Sequence, residues 1–421
     1  MKNKLINLGA SCGIDIEIYE RKNNIASINT LNDELKLFQV ENISLYNIKA
    51  IKNNVCINLM TENIKNTKEI IDALEEMFAT QDNKNENLLC TGKLKKKVID
   101  EKIDLEQVKK DLLSLNDLKE SYSSIKSIET GYEHIYKGNY IDNKINKCKM
   151  QNESYYNNIG VSLSIEDNNN TRVIYVNYYT KKYDFKEFKE YLLNKIELSL
   201  NKLNSSSIKT AKYNLLLSND VVANILNAFV GSFHSKSIFM KESLLTDKLN
   251  KKVFSDKINI CEDSKNGLDE ILFDCEGTLK KRQDIILNGI FVKSINNLEY
   301  AIKMGEEPTG NADGVNNLMI LPKDKSFASL LKELDNGVFI DEVYGLHSGI
   351  DKTTGNISLQ AEGYLIENGK IKHGLNMIIL STNIFELFSN VLEVGSDLSK
   401  SSIKTLAPSL LLHDITITGK E

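Results

Sequence analysis

The stretch GYLIENGKIKHG, residues 363–374, predicts a β-hairpin, and with it an antiparallel sheet in the second half of the chain. Two apolar runs flank an Asn-Gly pair at 368–369, and both central residues of a type I′ turn need positive φ, which Asn and Gly adopt most readily. The stretch DIILNGIFVKSI, residues 284–295, repeats this arrangement, and SLLLHDITITG, residues 409–419, indicates a final apolar strand. We therefore expect a mixed, mainly antiparallel sheet with a few helices in this half.

The first half of the chain mixes strand and helix patterns. The stretch DIEIYE, residues 15–20, alternates apolar and polar residues as a half-buried strand does. Composition and the spacing of apolar residues predict helices at residues 69–80, 185–203 and about 101–130. The polar stretch NSSSIKT, residues 204–210, is the best candidate for a domain boundary. We expect a mixed α/β N-terminal domain over residues 1–205 and a sheet-rich C-terminal domain over residues 206–421.

The composition is that of a soluble globular protein, with 41% apolar and 26% charged residues in a chain of 421. The formal net charge of -5 argues against nucleic-acid binding, which usually needs a basic surface. We interpret one basic run as a solvated helix start or loop in preference to a phosphate-binding patch: Lys93, Lys95, Lys96 and Lys97. The six cysteines form no CxxC motif, the N-terminus lacks the apolar core of a signal peptide, and no stretch approaches the roughly 20 apolar residues that span a bilayer. We expect a cytoplasmic protein with reduced thiols that binds neither nucleic acid nor a membrane.

The stretch NILNAFVGSFHSK, residues 224–236, continues an amphipathic helix. Three residues that are competent N-caps precede it, at 218–220. Apolar residues at spacings i, i+3, i+4 and i+7 predict one side that faces the core: Val222, Ile225, Leu226 and Phe229. Gly231 is well placed as the left-handed residue that ends a helix. On these residues alone, the helix is a structural element of the core.

Blocks of sequence between about Lys209 and Gly419 resemble, in their order and spacing, the TldD/PmbA family of paired bacterial proteins. The blocks are KYNLLLSNDVVANIL (212–226), FDCEGTLKKR (273–282), IILNGIF (285–291), PTGNA (308–312), TGNISLQAEGYLIENGKI (354–371) and APSLLLHDITITG (407–419). The resemblance implies an α+β fold, with an N-terminal mixed α/β domain and a C-terminal, mainly antiparallel, half-barrel-like sheet domain.

One kind of subunit in this family carries HExxxH on the helix that corresponds to residues 224–236. Its two histidines and a later cysteine bind zinc, and its glutamate is the general base. The resemblance places the His-Glu pair on Asn227 and Ala228 and the final histidine on Ser232. An amide, a methyl group and a hydroxyl cannot take over those roles, and no cysteine follows Cys275. The resemblance therefore implies the TldE/PmbA kind of subunit, with no catalytic, cofactor-binding or metal-binding residue of its own.

The resemblance also implies partners and an activity. A TldE/PmbA-type chain pairs with a TldD-like subunit that carries HExxxH and zinc, as a heterodimer, and a homodimer remains open. The assembled pair is a cytoplasmic metalloprotease that cleaves unfolded peptides. The family was also linked to the modulation of DNA gyrase. The alternative is therefore a regulatory or binding protein that acts without proteolysis.

Other residues could in principle form a relocated site, which would make the chain an autonomous hydrolase. His234 is two residues past Ser232, but no HxH, HxxxH or HExxH spacing includes it, so we favour a loop or interface histidine over a metal ligand. Asp274 and Glu276 could form a carboxylate pair for acid–base chemistry, although Gly277 favours a turn-forming role. His347 in a glycine-rich loop, His413 in the final strand, and Cys261 and Cys275 in strand-like segments lack the local signature of a catalytic site.

Overall fold

Long antiparallel strands dominate the first half of the protein. The computed structural model describes residues 1–80, 89–98, 101–167 and 170–420. The elements of the first half are α1 (Lys2–Ser11), β1 (Asp15–Leu31), β2 (Glu34–Lys52), β3 (Val55–Thr61), α2 (Thr67–Thr80), β4 (Lys93–Lys96), α3 (Leu105–Leu113), α4 (Leu118–Ser121), β5 (Ile125–Asn143), β6 (Lys149–Asp167), β7 (Asn170–Thr180) and α5 (Phe185–Leu200). The predicted strand at residues 15–20 is confirmed as the start of β1, and the predicted helices at 69–80 and 185–203 are confirmed as α2 and α5.

The strands of this half that the structure describes form one sheet, in the order β3-β2-β1-β5-β6-β4, and β7 pairs with the later part of β6. Helices α1 and α2 cover one end of the sheet with apolar side chains such as Leu5 and Leu74. Helices α3 and α5 cover the other end with Leu112, Phe188 and Leu192. Asp184 begins α5, since its carboxylate accepts a hydrogen bond from the backbone N–H of Glu187. Two apolar clusters therefore stabilise the sheet from its two ends.

One prediction for this half was right only in part, since residues 105–121 are helical, and another was wrong. The helical region predicted at about 101–130 ends at Ser121, because Ile125 begins β5 and pairs with Ile165 of β6. The basic run at 93–97 is neither a helix start nor a loop, since Lys93–Lys96 is strand β4 and pairs in parallel with the start of β6. Residues 93–96 and 125–130 form strands because long neighbouring strands offer backbone partners that lie far away in the sequence.

The second half carries shorter elements around a curved sheet. They are β8 (Ala211–Leu217), α6 (Asn219–Ala228), α7 (Ser235–Phe239), β9 (Ile260–Glu262), β10 (Gln283–Leu287), β11 (Ile290–Phe291), α8 (Leu298–Met304), β12 (Leu318–Ile320), α9 (Phe327–Leu334), β13 (Gly337–Tyr344), β14 (Asn356–Glu367), β15 (Lys370–Asn383), α10 (Ile384–Ser389), β16 (Val391–Leu398), β17 (Thr405–Leu406) and β18 (Pro408–Thr418). One sheet has the order β15-β14-β13-β8-β18-β16, and a smaller one has the order β11-β10-β9-β12-β17.

The larger sheet curls into a half-barrel, because β15 also pairs with β18 across residues 379–381 and 416–418. Helix α6 packs on the concave side with strands of both sheets, and its buried residues belong to the largest apolar cluster of the described chain. Both Asn-Gly hairpins are confirmed: Asn288 and Gly289 have φ of 48° and 74°, and Asn368 and Gly369 have φ of 52° and 68°. The division at residues 205 and 206 stays a prediction.

Candidate functional site

Helix α6 is the element that would carry the metal motif, and local sequence explains why it forms. Ser218 is its N-cap, and the Oγ atom accepts a hydrogen bond from the backbone N–H of Val221 at 3.3 Å. Val222, Ile225 and Leu226 are buried, as their spacing predicted. The predicted end at Gly231 was wrong. The α-helix ends at Ala228, and Gly231 lies inside a 3-10 turn at Val230–Phe233 without positive φ.

The three positions of the metal motif face different surroundings. Asn227 is exposed, and its Oδ1 atom accepts a hydrogen bond from the Thr405 hydroxyl at 3.0 Å, which ties the helix to β17. Ala228 is half-buried and packs against the apolar core. Ser232 lies in the 3-10 turn beside a pocket of about 20 Å³ with apolar walls, and its carbonyl oxygen accepts a hydrogen bond from the Ser243 hydroxyl at 2.6 Å. These contacts are therefore structural: Asn227 accepts a hydrogen bond, Ala228 packs on the core and Ser232 contributes its carbonyl oxygen.

The donor set of this helix does not fit a zinc ion, which binds thiolate, imidazole or carboxylate groups in nearly all protein sites. Asn227 offers an amide oxygen that is already hydrogen-bonded, Ala228 offers no donor, and Ser232 offers only a hydroxyl. Within residues 1–80, 89–98, 101–167 and 170–420, no group of three or more His, Cys, Asp or Glu side chains is arranged to hold a metal ion.

His234 lies near an ion pair. It is half-buried at the start of α7, and burial lowers its pKa, an effect that Lys280 reinforces and Glu262 opposes. The Glu262 Oε1 atom accepts hydrogen bonds from Lys280 Nζ at 3.3 Å and from the backbone N–H of Asn316 at 3.0 Å. Glu262 is therefore part of a buried polar network with Lys280 and Asn316, and a metal role for His234 stays a prediction.

Asp274 and Glu276 hold backbone in place. One oxygen of Asp274 accepts hydrogen bonds from the N–H groups of Glu276 and Thr278 at 3.1 and 2.9 Å, and the other accepts one from Ala312 N–H at 3.0 Å. Glu276 accepts a hydrogen bond from Leu298 N–H at 2.8 Å. Burial raises the pKa of Asp274 to about 6, although these backbone donors oppose the shift. The geometry supports the turn-forming role of this carboxylate pair.

The other candidates lie apart from α6. His347 is in the exposed turn that follows β13, and His413 is on β18, with Nδ1 at 3.3 Å from an oxygen of Asp414. Cys261 is buried on β9, and burial raises its pKa to about 11, which makes the thiol a poor nucleophile. Cys275 is half-buried in the loop before β10.

A cavity of about 390 Å³ lies between the two halves of the protein, beside the N-terminal end of α6. Its walls are residues 173–177 of β7, the side of α5 that carries Lys195, the first turns of α6 and residues 341–344 of β13. Strand β8 ends opposite Ile340, so on that side residues 341–344 lack a partner among the described strands. The cavity is therefore lined in part by strand backbone without a strand partner on that side, although the Asp341 carbonyl accepts a hydrogen bond from the Ser218 hydroxyl at 3.3 Å. Asn227 is outside the cavity lining.

Buried charges lie next to Asp341 and Glu342, two lining residues of this cavity. Arg172 on β7 contacts the carboxylates of Glu342 at 3.0 Å and Glu362 at 2.5 Å. Lys202 follows α5 with a side chain that is 0% exposed, and its Nζ contacts Asp341 at 2.8 Å and Glu342 at 2.7 Å. These ion pairs join the first half of the protein to the half-barrel.

The same contacts shift the pKa values of the cluster. Burial alone would raise the pKa of Glu342, but the charges of Lys202 and Arg172 outweigh it and lower that pKa to about 2. Burial lowers the pKa of Lys195, but the carboxylate of Asp220 at 2.8 Å outweighs burial, and the pKa is raised. The Glu342 carboxylate and the Lys195 ammonium therefore stay charged near neutral pH. Burial raises the pKa of Asp341, an effect that the charge of Lys202 opposes.

Inspection of the sequence did not single out this cluster. Its basic members, Arg172 and Lys202, lie more than 100 residues before its acidic members, as Lys202 and Asp341 are 139 positions apart. One feature of the sequence could have indicated the cluster. The acidic pair Asp341-Glu342 directly follows the apolar stretch GVFI, and charges next to a buried strand segment usually have a partner of opposite charge.

Comparisons with known proteins place this geometry in context. Residues 210–419 match the PmbA/TldA metallopeptidase C-terminal domain. The metalloprotease PmbA of Escherichia coli O157:H7 is 31% identical over 225 residues, which cover 53% of this chain and 49% of the relative. The chain thus spans about half the length of the curated relatives it matches.

Two solved structures are similar over the whole chain. A candidate modulator of a DNA gyrase from Thermotoga maritima has a TM-score of 0.87 at 24% identity, and the superposition covers 99% of this chain and 99% of that chain. TldE from Thermococcus kodakarensis has a TM-score of 0.83 at 17% identity, with 99% of this chain and 100% of that chain covered. The likeness confirms the expected α+β fold with its half-barrel sheet. Among the described residues, no helix is long and apolar enough to cross a membrane.

Proposed function

The chain belongs to the PmbA/TldD metallopeptidase family, and from this membership we propose that it is a TldE/PmbA-like, non-catalytic subunit of a cytoplasmic zinc metalloprotease that cleaves unfolded peptides. A TldD-like partner with HExxxH supplies the zinc and the general base in a heterodimer, and a homodimer is the other assembly. Neither nucleic acid nor a membrane is a partner in this proposal.

The observation that carries the proposal is the donor set on α6. Asn227, Ala228 and Ser232 stand at the motif positions, and their contacts are with Thr405, the apolar core and the turn that contains Ser243. Because no imidazole or carboxylate stands at these positions, this chain cannot activate water there, and the metal chemistry has to come from another subunit.

The cavity beside α6 supports a peptide-binding role. Residues 341–344 leave main-chain groups of β13 without a strand partner in the described chain. An extended peptide can pair with such an edge through main-chain hydrogen bonds, which are independent of its sequence. An exposed ring, Tyr175 at 77% exposure, lies at the cavity wall and offers an apolar surface for side chains of the peptide.

The test compares the purified chain alone with the chain co-purified with an HExxxH relative. We expect no stoichiometric zinc and no chelator-sensitive cleavage of an unfolded peptide by the chain alone, and both properties in the complex. The variant His234→Ala is a matched control, since the complex should cleave equally well with it. Stoichiometric zinc and peptidase activity in the isolated chain, both lost in His234→Ala, would instead establish an autonomous hydrolase.

The alternative is a regulatory or binding protein, which the name of the Thermotoga relative suggests. A pull-down from native cells distinguishes the two functions. Recovery of an HExxxH relative supports the protease subunit, and recovery of a gyrase subunit without such a relative supports the regulatory role.

A further inference from the structure

Two buried thiols meet beneath the contact between the two halves of the protein, and neither contributes to the site on α6. Cys90 lies on the segment that leads into β4, and Cys148 lies directly before β6. Their Sγ atoms are 3.0 Å apart, and their residues are only 6% and 3% exposed. Both cysteines are free thiols in the structure.

The backbone on both sides of this pair is held firmly. Cys90 N–H donates to a carboxylate oxygen of Glu17 at 2.7 Å, and the Asn143 side-chain amide donates to the Cys90 carbonyl at 2.8 Å. The Cys148 carbonyl accepts a hydrogen bond from Asn143 N–H at 3.3 Å. Because Asn143 binds both backbone segments, the two sulfur atoms face each other as a consequence of the fold.

The surroundings make one thiol the nucleophile of the pair. Cys90 Sγ also accepts a hydrogen bond from Gly92 N–H at 3.3 Å. The hydrogen bond from Cys148 lowers the pKa of Cys90, and the same contact raises the pKa of Cys148. A Cys90 thiol whose pKa is lowered, beside a Cys148 thiol that holds its proton more tightly, is the arrangement of an attacking and a resolving cysteine.

We propose that Cys90 and Cys148 are a redox modification site, which a hydroperoxide converts to an intramolecular disulfide. The Cys90 sulfur attacks one oxygen of hydrogen peroxide, so that an S–O bond forms, the O–O bond breaks and the released hydroxide becomes water. The Cys148 sulfur then attacks the sulfenic sulfur, the S–S bond forms, and the S–O bond breaks as a second water leaves with the thiol proton. The two sulfur atoms lose the two electrons that reduce the peroxide.

The modification lies under a loop of the C-terminal half. Gly277 has a φ of +80°, and a Cβ atom placed on it would lie 2.3 Å from Cys90 Sγ, so the loop packs directly on this thiol. A disulfide needs an S–S distance of about 2.05 Å, so the sulfur atoms have to approach each other by roughly 1 Å. The bond therefore links the segment before β4 to the start of β6 at the point where the two halves meet. This site does not depend on the proposed function.

The test treats the full chain with stoichiometric hydrogen peroxide, blocks free thiols in denaturant and maps the digest by mass spectrometry. We expect a peptide pair linked through Cys90 and Cys148, loss of two alkylatable thiols, and full recovery after reduction. Cys56→Ala and Cys261→Ala are controls at buried cysteines and should retain the cross-link.

A single variant separates the attacking from the resolving thiol. In Cys148→Ala the cross-link should disappear, and Cys90 should instead be trapped as a sulfenic acid by dimedone. Formation of the cross-link in the wild-type protein tests the proposed disulfide even if this variant does not fold. Cys90 and Cys148 that remain fully alkylatable after treatment, or oxidation confined to the exposed Cys12, would overturn the proposal.

Discussion

Charges buried between the two halves determine how single residues respond to acid. The pKa of Glu342 is lowered to about 2, because Lys202 and Arg172 outweigh the cost of its burial. An unfolded chain exposes this carboxyl to water, where its ordinary pKa is about 4.5. The unfolded state therefore binds this proton more readily than the folded state does.

We expect Glu342→Gln to reduce the acid sensitivity of the protein. The contribution of Glu342 to stability is present above pH 4.5 and is lost as the pH falls toward 2, because the folded pKa lies below the unfolded one. For a side chain that is 33% exposed, solvent screening limits this contribution to about 1–2 kcal/mol. Urea unfolding at several pH values should show a difference between wild type and variant that shrinks with acidification. The exposed Glu299→Gln is the control, and an equal pH dependence in all three proteins would contradict the expectation.

The placement of the family motif on Asn227, Ala228 and Ser232 is what the resemblance implies, and it stays a prediction. Local spacing was enough to predict the helix that carries Asn227 and Ala228, because its N-cap and its apolar side lie within one element. It was not enough to find the Glu342 cluster, since the Arg172–Glu342 contact joins residues that are 170 positions apart. Contacts of this kind depend on which strands meet, and a single sequence does not specify that.

Among turns and strands, too, features that depend on nearby residues were predicted and features that depend on distant residues were not. The Asn-Gly hairpins were predicted correctly because the turn itself needs positive φ at both central residues. Strand β4 and the start of β5 were not predicted, because their backbone partners on β6 lie far away in the sequence. An element that depends on its own residues can be predicted from the sequence, and an element that depends on a strand partner far away in the chain cannot.

The two hairpin glycines should differ in their tolerance of a side chain. Gly369→Ala places a Cβ atom 3.1 Å from the Lys332 Cα atom and should cost about 1–2 kcal/mol for its left-handed φ of +68°. Gly289→Ala has a similar φ of +74° but would place its Cβ atom 2.2 Å from the Phe254 carbonyl oxygen. Overlap with rigid backbone should add about 1–3 kcal/mol.

Denaturant midpoints of the two variants measure this difference, and each variant is the control for the other because both occupy the same turn position. Equal midpoints would mean that the turn conformation alone sets the cost and that the segment around Phe254 moves aside freely.

The whole molecule has a helix-covered sheet in its first half and a half-barrel in its second half. Several ionic contacts join the two halves, and two groups of them contain a buried residue. One is the cluster of Arg172, Lys202 and Glu342, and the other centres on Asp269, which contacts Lys137 at 2.7 Å and the Ser154 hydroxyl at 2.8 Å. The half-barrel was predicted from hairpins and family resemblance. The strand order of the first sheet was not, because register between distant strands is set by packing.

Loss of Arg172 should loosen the junction of the two halves. Arg172→Met leaves Glu342 and Glu362 in a buried setting with only Lys202 as a cation, and the loss of one member of such a cluster costs about 3–5 kcal/mol. Arg282→Met is the matched control, since that side chain is 48% exposed and its ion pair with Asp284 lies within one segment. This substitution should lower the free energy of unfolding by no more than about 1 kcal/mol. Urea unfolding measures both changes, and hydrogen exchange should accelerate in β7 and at the end of β13 in Arg172→Met while β16 retains its protection. Uniform acceleration over the whole chain, or equal effects of the two variants, would show that the buried arginine does not hold the halves together.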